Sequence, residues 1–423
     1  MGIYYIDFSS PPDPTRAARC FQKAFELDAR ETEAAKRLAH GFAEEREWDL
    51  VEVVARRTIE GEGGLDGGLG SAKAIPSANF KPTNAWAWKA LGVVELVSDS
   101  ACRNSHLLIN LHFLQNRHNY SAAIQAFQIT LRSNEEDALT WLRLGEAYAK
   151  AGRHAAAIKA LDKSHELCPE DWTCIYQIGD VQRQTGQFAQ AITTFSSVLS
   201  SNPNETVTLL SLAETQLALG RSELATGFLG RASMSFISAI STSLDLIDSS
   251  NGFRRLAWKT IADALLALAG LSIHDNDLSR DILYRIAEIQ SDKVDDRIAE
   301  FVDRPLFKEN DYIDTDLVLK LAVVTCNYRL SLFAKDEDGI GDAWFDLGVS
   351  LFRLSFFTSS DEARQSMLGK ATEYVRVALL SDPGNPAFWE VFGVLNFVSQ
   401  PAIAQHAFIR ALEMNNKVSL TNT

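Results

Sequence analysis

The run Ala138-Leu139-Thr140-Trp141-Leu142-Arg143-Leu144-Gly145-Glu146-Ala147-Tyr148, with Gly152, Ala157, Leu161, Ser164 and Pro169 after it, decides the fold. Counted from Ala138, Trp141, Leu144, Gly145 and Tyr148 stand at positions 4, 7, 8 and 11. Ala157, Leu161, Ser164 and Pro169 stand at 20, 24, 27 and 32. A step of 34 residues repeats the pattern as Ile178, Gly179, Ala191, Phe195, Val198 and Pro203. A second step gives Leu209, Leu212, Ala213, Ala225, Leu229 and Ala232. Gly152, Gly186 and Gly220 keep the same step and predict the turn between two helices. Small residues at 8, 20 and 27 let two antiparallel helices, A and B, approach closely. Large ones at 4, 7, 11 and 24 fill the space between neighbouring pairs. Proline at 32 ends helix B, because it offers no amide hydrogen and clashes with the preceding turn. Each hairpin buries its apolar face only against the next, so the array is stable as an array.

This is the tetratricopeptide repeat (TPR) pattern, and it predicts an all-α solenoid, a right-handed superhelix of helix hairpins. Weaker copies extend it. Ala17, Phe21 and Ala24 match a helix B, and Ala35, Leu38, Ala39, Phe42, Trp48, Val51, Ala55 and Thr58 a full repeat. Trp88, Leu91 and Gly92 begin another, and Trp258, Ile261, Ala262 and Leu265 read as a helix A. Trp344, Leu347, Gly348, Ala371, Val375, Ala378 and Pro383 mark a repeat with an internal insertion, and Trp389, Gly393, Ala404, Phe408 and Ala411 the last one. The expected organisation is N-terminal repeats over 1–60, a glycine-rich linker over 61–84 and a central array over 85–235 with an insertion at 97–115. Degenerate helical repeats over 236–336 and C-terminal repeats over 337–423 follow. Gly2 and Tyr5 fall where positions 8 and 11 of a helix A belong, and no polar capping helix is evident at the far end. Both ends therefore read as cut from a longer chain.

Composition agrees with helices and limits the partners. Eleven prolines and 24 glycines in 423 residues leave long stretches of helix-forming sequence. A net charge of −14 repels phosphate backbones, which argues against direct nucleic-acid binding. Cys20, Cys102, Cys168, Cys174 and Cys326 are odd in number and never spaced CxxC, which suggests reduced thiols in a cytosolic or nuclear protein. The most apolar stretch, 261–273, carries Asp263 and is too short to span a bilayer. The eight tryptophans mostly fall on repeat positions and predict core, Trp141 among them.

Between Gly92 and Tyr120 the chain carries 19 residues more than the repeat allows, and deleting residues 97–115 restores the register. That run begins Val-Ser, codable as GTNAGT, ends in Gln, codable as CAG, and corresponds to 57 nucleotides. A retained intron and a true loop between helices A and B both fit. Cys102, His106, His112 and His118 have no standard zinc spacing. The glycines of 64–70 have no strand before them and no helix directly after, unlike a phosphate-binding loop. No catalytic motif is present, so neither enzyme nor cofactor is expected.

The concave face of a TPR array, lined by positions 2, 5, 9 and 12 of each helix A, is where a partner is expected. Position 9 is Glu146, Asp180 and Glu214 in turn, with Asp263 in the degenerate repeat. Leu139, Leu142, Tyr176 and Leu210 supply apolar lining, suited to an extended or helical segment with basic residues among apolar anchors. The alternative is that these acids only cap local hydrogen bonds or keep the face solvated. The lysine, arginine and asparagine clamp of chaperone-tail TPRs is absent here, which disfavours a co-chaperone adaptor without removing it.

Several runs go beyond a generic repeat: Ala17-Ala18-Arg19-Cys20-Phe21-Gln22-Lys23-Ala24-Phe25-Glu26-Leu27, Glu47-Trp48-Asp49-Leu50-Val51-Glu52-Val53-Val54-Ala55 and Trp86-Ala87-Trp88-Lys89-Ala90-Leu91-Gly92. With Leu144-Gly145-Glu146-Ala147-Tyr148, Gly152-Arg153, Ala157-Ile158-Lys159 and Trp258-Lys259, they resemble the large TPR subunit of the superkiller (Ski) complex over nearly the whole chain. The resemblance is to a middle part of that longer subunit. It implies a non-catalytic scaffold that holds a DExH-box RNA helicase and WD40-propeller subunits and supports 3′–5′ decay of messenger RNA by the cytoplasmic exosome.

Overall fold

The computed structural model describes residues 1–8, 13–28, 31–63, 81–97, 119–250, 252–271, 280–290, 298, 300–302, 313–334 and 339–421. The insertion at 97–115 (beyond Val97), the glycines of 64–70 and the Cys102, His106, His112 and His118 group lie outside these residues. Contacts divide the chain into two compact units, Met1–Gly186 and Gln187–Thr423.

The first unit opens with a short π-helix, Tyr4–Phe8, and continues with α1 (Pro14–Leu27), α2 (Thr32–Glu44), α3 (Trp48–Gly63) and α4 (Ala85–Val97). Then come α5 (Tyr120–Ser133), α6 (Ala138–Lys150), α7 (His154–Leu167) and α8 (Trp172–Gln184). Residues 61–63, read from the sequence as linker, are the last turn of α3. The second unit contains α9 (Phe188–Ser201), α10 (Thr206–Ala225), α11 (Leu229–Ser249), α12 (Arg254–Ala269) and α13 (Arg280–Gln290). It ends with α14 (Thr315–Ser331), α15 (Ile340–Ser355), α16 (Asp361–Ser381), α17 (Pro386–Asn396) and α18 (Pro401–Thr421). Within each unit consecutive helices pack on one another, save that α12 packs on α11 and α14 while α13 lies against α11 and α14, and helices A also touch across repeats, as in α2 with α4, α4 with α6 and α10 with α12. The α7, α9 and α16 helices stop two residues before Pro169, Pro203 and Pro383, as the ring geometry demands.

One contact defines the repeat. A Cβ added at Gly145 would lie 2.6 Å from Leu161 Cγ, the residue sixteen further on. Gly220 meets Phe236 in the same way at 2.6 Å, again sixteen residues on. Gly92 meets Phe127 at 2.7 Å, 35 residues on, so the described helices keep the hairpin's register on either side of a 19-residue excess. Gly348 against Val375 and Gly393 against Phe408, both at 2.7 Å, continue the series. Helix A thus offers bare backbone to a large residue of helix B. A hydroxyl at position 27 adds to this: Ser164 Oγ donates to Ala138 O at 2.7 Å, closing the open end of the hairpin.

The series corrects the reading of the third repeat. Gly152 and Gly186 turn with φ of 71° and 77°, but Gly220 is buried inside α10 and the turn falls at Gly227, φ 85°. The Phe228 amide donates to Glu223 O at 2.9 Å and the Gly227 amide to Leu224 O at 3.0 Å. These match the Arg153 to Tyr148 and Gly152 to Ala149 bonds that close α6, at 2.8 and 3.0 Å, the paired bonds of a left-handed helix stop. Ala225 and Leu229, expected in the core, are exposed, and Ala232, Phe236 and Ala239 occupy positions 20, 24 and 27, fully buried.

The tryptophans divide. Trp258 is fully buried and meets Tyr328 edge-on at 5.0 Å, and Trp88 is also buried. Trp141, expected in the core, is half-buried, because its indole reaches out of the packing to donate to Glu135 O at 2.8 Å. Trp389 makes the same bond to Pro383 O at 2.8 Å. An indole at position 4 can therefore staple the loop before its own helix.

Candidate functional site

The position-9 acids sit on α6, α8 and α10, and each helix start is set by its sequence. Asp137 caps α6, accepting from the Thr140 amide at 3.2 Å, and Asp171 caps α8, accepting from the Thr173 amide at 3.0 Å. Asp137 also receives Lys89 Nζ of α4 at 2.6 Å, tying one helix A to the next. Burial pushes the Asp137 carboxyl up, but the Lys89 and Thr140 donors outweigh it, and the group titrates below its ordinary 3.8. Its contribution to stability is therefore present above about pH 4 and fades as pH falls through the lowered value. Asp137→Ala is expected to lose about 1 kcal/mol as a cap at pH 7. Asp137→Asn keeps an acceptor but loses the pH dependence. Thermal melts of both variants and the parent between pH 3 and 7 check this.

The acids themselves are occupied locally. Glu146 accepts from Arg143 Nη1 at 2.9 Å and lies 3.7 Å from Lys150 Nζ. Asp180 accepts from Arg183 Nε and Nη2 at 3.1 and 2.7 Å and from Gln184 Nε2 at 2.7 Å. Asp263 takes Arg221 Nη2 of α10 at 2.9 Å. Glu214 is half-buried. The partners at i+3 and i+4 were in the sequence, and neighbours at that spacing on a helix pair routinely. Of the apolar positions, Leu142 and Leu210 are buried between helices and belong to the core rather than to an open face. Leu139 is 50% exposed and Tyr176 half-buried against Trp172. The seven residues thus reduce to exposed Leu139, half-buried Tyr176 and Glu214, two core leucines and two acids, Glu146 and Asp180, paired within their own helices.

The helix A face opens elsewhere, between α2 and α4. A cleft of about 530 Å³ is walled by Trp48, Trp86, Val93, Lys36, His40 and Lys89, together with Arg37 and the one lining acid, Glu33, which pair with each other at 2.9 Å. Lys36, His40, Trp86, Lys89 and Val93 occupy positions 5, 9, 2, 5 and 9 of their repeats. Lys36 and His40 are exposed, and the Trp86 indole nitrogen is buried with no hydrogen-bond partner among the described residues. An apolar floor with a basic rim is the chemistry of a peptide-binding surface. The repeat pattern predicts a site at the acids of the central repeats and not here. The signal was Trp86 and Val93, apolar where a solvated helix face would be polar.

Among the described residues no group of three or more His, Cys, Asp or Glu side chains could hold a metal ion, and no helix is long and apolar enough to cross a membrane. Tetratricopeptide-repeat family models match residues 112–171 and 173–205. The fold and its helix A clefts define an all-α TPR solenoid. The chain is a homologue of the superkiller 3 proteins over nearly its whole length. It is 31% identical to Superkiller protein 3 of Schizosaccharomyces pombe, across 96% of this chain and 27% of that one. It is 23% identical to Superkiller complex protein 3 of Mus musculus, across 97% and 23%. The chain spans about a quarter of the length of these relatives. Among solved structures, the crystal structure of APC/C hetero-tetramer Cut9-Hcn1 aligns over 98% of this chain and 59% of that one, with 12% identity and a TM-score of 0.42.

Proposed function

We propose that this chain is a non-catalytic scaffold segment of a superkiller assembly, holding an extended segment of a protein partner in the α2–α4 cleft. The partner is the DExH-box RNA helicase, with a WD40-propeller subunit in the same assembly, and the process served is 3′–5′ decay of cytoplasmic messenger RNA by the exosome. The observation that carries this is homology over nearly the whole chain, joined to a basic-rimmed apolar cleft on the face where such arrays take peptides. The bound segment would place apolar side chains beside Trp86 and acidic ones beside Lys36 and His40. Continuing along α6 and α8, it would pass Leu139 and Tyr176.

A pull-down with the full chain from cell extract tests the assignment. Helicase and propeller subunits are the expected catch, and recovery of chaperones in their place would turn the reading to a co-chaperone adaptor. Lys36→Glu with His40→Glu should cut helicase recovery at least tenfold while leaving the helical circular dichroism unchanged, since both side chains are exposed. Undiminished recovery would remove the cleft from the binding surface.

A further inference from the structure

A second cleft, in the other unit, has the opposite character to the chain around it. It measures about 660 Å³ and lies where the N-terminus of α12, the C-terminus of α14 and the N-terminus of α15 meet. Four cations line it, Arg254, Arg255, Lys259 and Arg329, against one lining acid, Asp342. In a chain of net charge −14 this is a local inversion of sign.

Arg329 is the decisive member. It is 4% exposed, and although one of its terminal nitrogens donates to Asp346, its Nε has no hydrogen-bond partner among the described residues. Arg254 Nε is likewise buried with no hydrogen-bond partner among the described residues. Unmet donors on buried guanidinium groups cost free energy until an acceptor arrives. The backbone adds to the positive field. Phe253 and Gly339 precede α12 and α15, and neither helix start has a side-chain cap, so first-turn amides of two helices border the cleft. The α14 end has its last carbonyls engaged by the Leu332 and Phe333 amides at 3.1 and 3.2 Å. Phe253 and Leu256 are 44% and 43% exposed at the mouth. Arg255 and Arg329 both lie over the Phe333 ring, 4.7 and 5.8 Å from its centroid, which fixes the guanidinium planes.

We propose that this cleft is a docking site for an acidic peptide segment of a partner protein, one that sets carboxylates against Arg254, Lys259 and Arg329 and an apolar side chain against Phe253 and Leu256. It is distinct from the α2–α4 cleft and does not depend on it. A guanidinium fork matches a carboxylate through two parallel bonds. The volume falls within the range of sites that enclose a small ligand, and the apolar mouth offers nothing to a phosphate backbone. The long-range charge of the chain opposes an RNA strand as well.

Fluorescence anisotropy with the full chain tests the site, using a labelled eight-residue peptide of alternating Glu and Leu. A Gln and Leu peptide and an RNA octamer serve as comparisons. The acidic peptide should bind at least tenfold more tightly than the Gln peptide. Arg254→Glu with Lys259→Glu should abolish the difference, and the milder Lys259→Gln should weaken binding about threefold with an unchanged melting curve. Equal binding by parent and Arg254→Glu/Lys259→Glu chains would overturn the proposal. So would tighter binding of the RNA octamer, or no binding of the acidic peptide to the parent chain.

Discussion

Gly220→Leu is expected to lower the local opening free energy of the α10–α11 hairpin by about 3 kcal/mol, at the upper end for overpacking a core. A Cβ at Gly220 already falls 2.6 Å from the Phe236 ring, whose own side chain is fully buried and has no room to retreat. Gly227→Ala adds a methyl group to open space, and costs about 1 kcal/mol because the residue turns at φ 85°. Gly230→Ala, also facing open space but inside α11, should gain up to about 1 kcal/mol from helix propensity. Hydrogen exchange of the α10 and α11 amides reads these local values directly, since a repeat array opens in pieces. The sequence register, with its turn at Gly220, places Gly227 inside helix B, where Gly227→Ala would gain stability instead of losing it, so the sign of that one variant decides between the two.

That register failed for a physical reason. The α10 helix carries seven residues more than α6, and seven residues come within a few degrees per residue of two full helical turns. The added segment returns the same face to the core, and a glycine at the old step survives by becoming the bare spot that Phe236 packs on. Pattern counting cannot distinguish a turn glycine from a packing glycine when the two differ by whole turns. The opposite case is Gly92 and Phe127. Their 35-residue spacing exceeds the hairpin's sixteen by the same 19 residues that the sequence marked as surplus. Local rules therefore revealed the hairpins, their proline stops and the all-α class.

The site was less legible. Glu146 and Asp180 recur at the right step, but their charge is spent on Arg143, three residues before the first, and Arg183, three residues after the second, in the same helices. The basic cleft of the second unit joins Arg254, Arg255 and Lys259 to Arg329, some seventy residues away in a stretch that follows no repeat pattern. Only tertiary packing brings those groups together. No spacing in the chain announces it.

Trp258→Ala should be the most damaging truncation in the chain, at about 3–5 kcal/mol. The indole is fully buried among Ile261, Leu265, Val318 and Tyr328, so its removal leaves a cavity at the centre of the largest cluster of the second unit. Its indole nitrogen has no hydrogen-bond partner among the described residues, so nothing polar is stranded by the change. Trp258→Phe restores most of the volume and sheds that unmet donor, and should recover at least half of the loss. Trp141→Ala provides the contrast. That ring is half-buried and held by one bond to Glu135 O, so its loss should cost about 2 kcal/mol, from partial apolar burial and one hydrogen bond. Urea titration followed by circular dichroism, with hydrogen exchange across α12 and α14 for the first variant and α6 and α7 for the second, separates the two. Equal losses at both tryptophans would mean that burial in these hairpins does not set their stability, and the packing described for Trp258 would have to be abandoned.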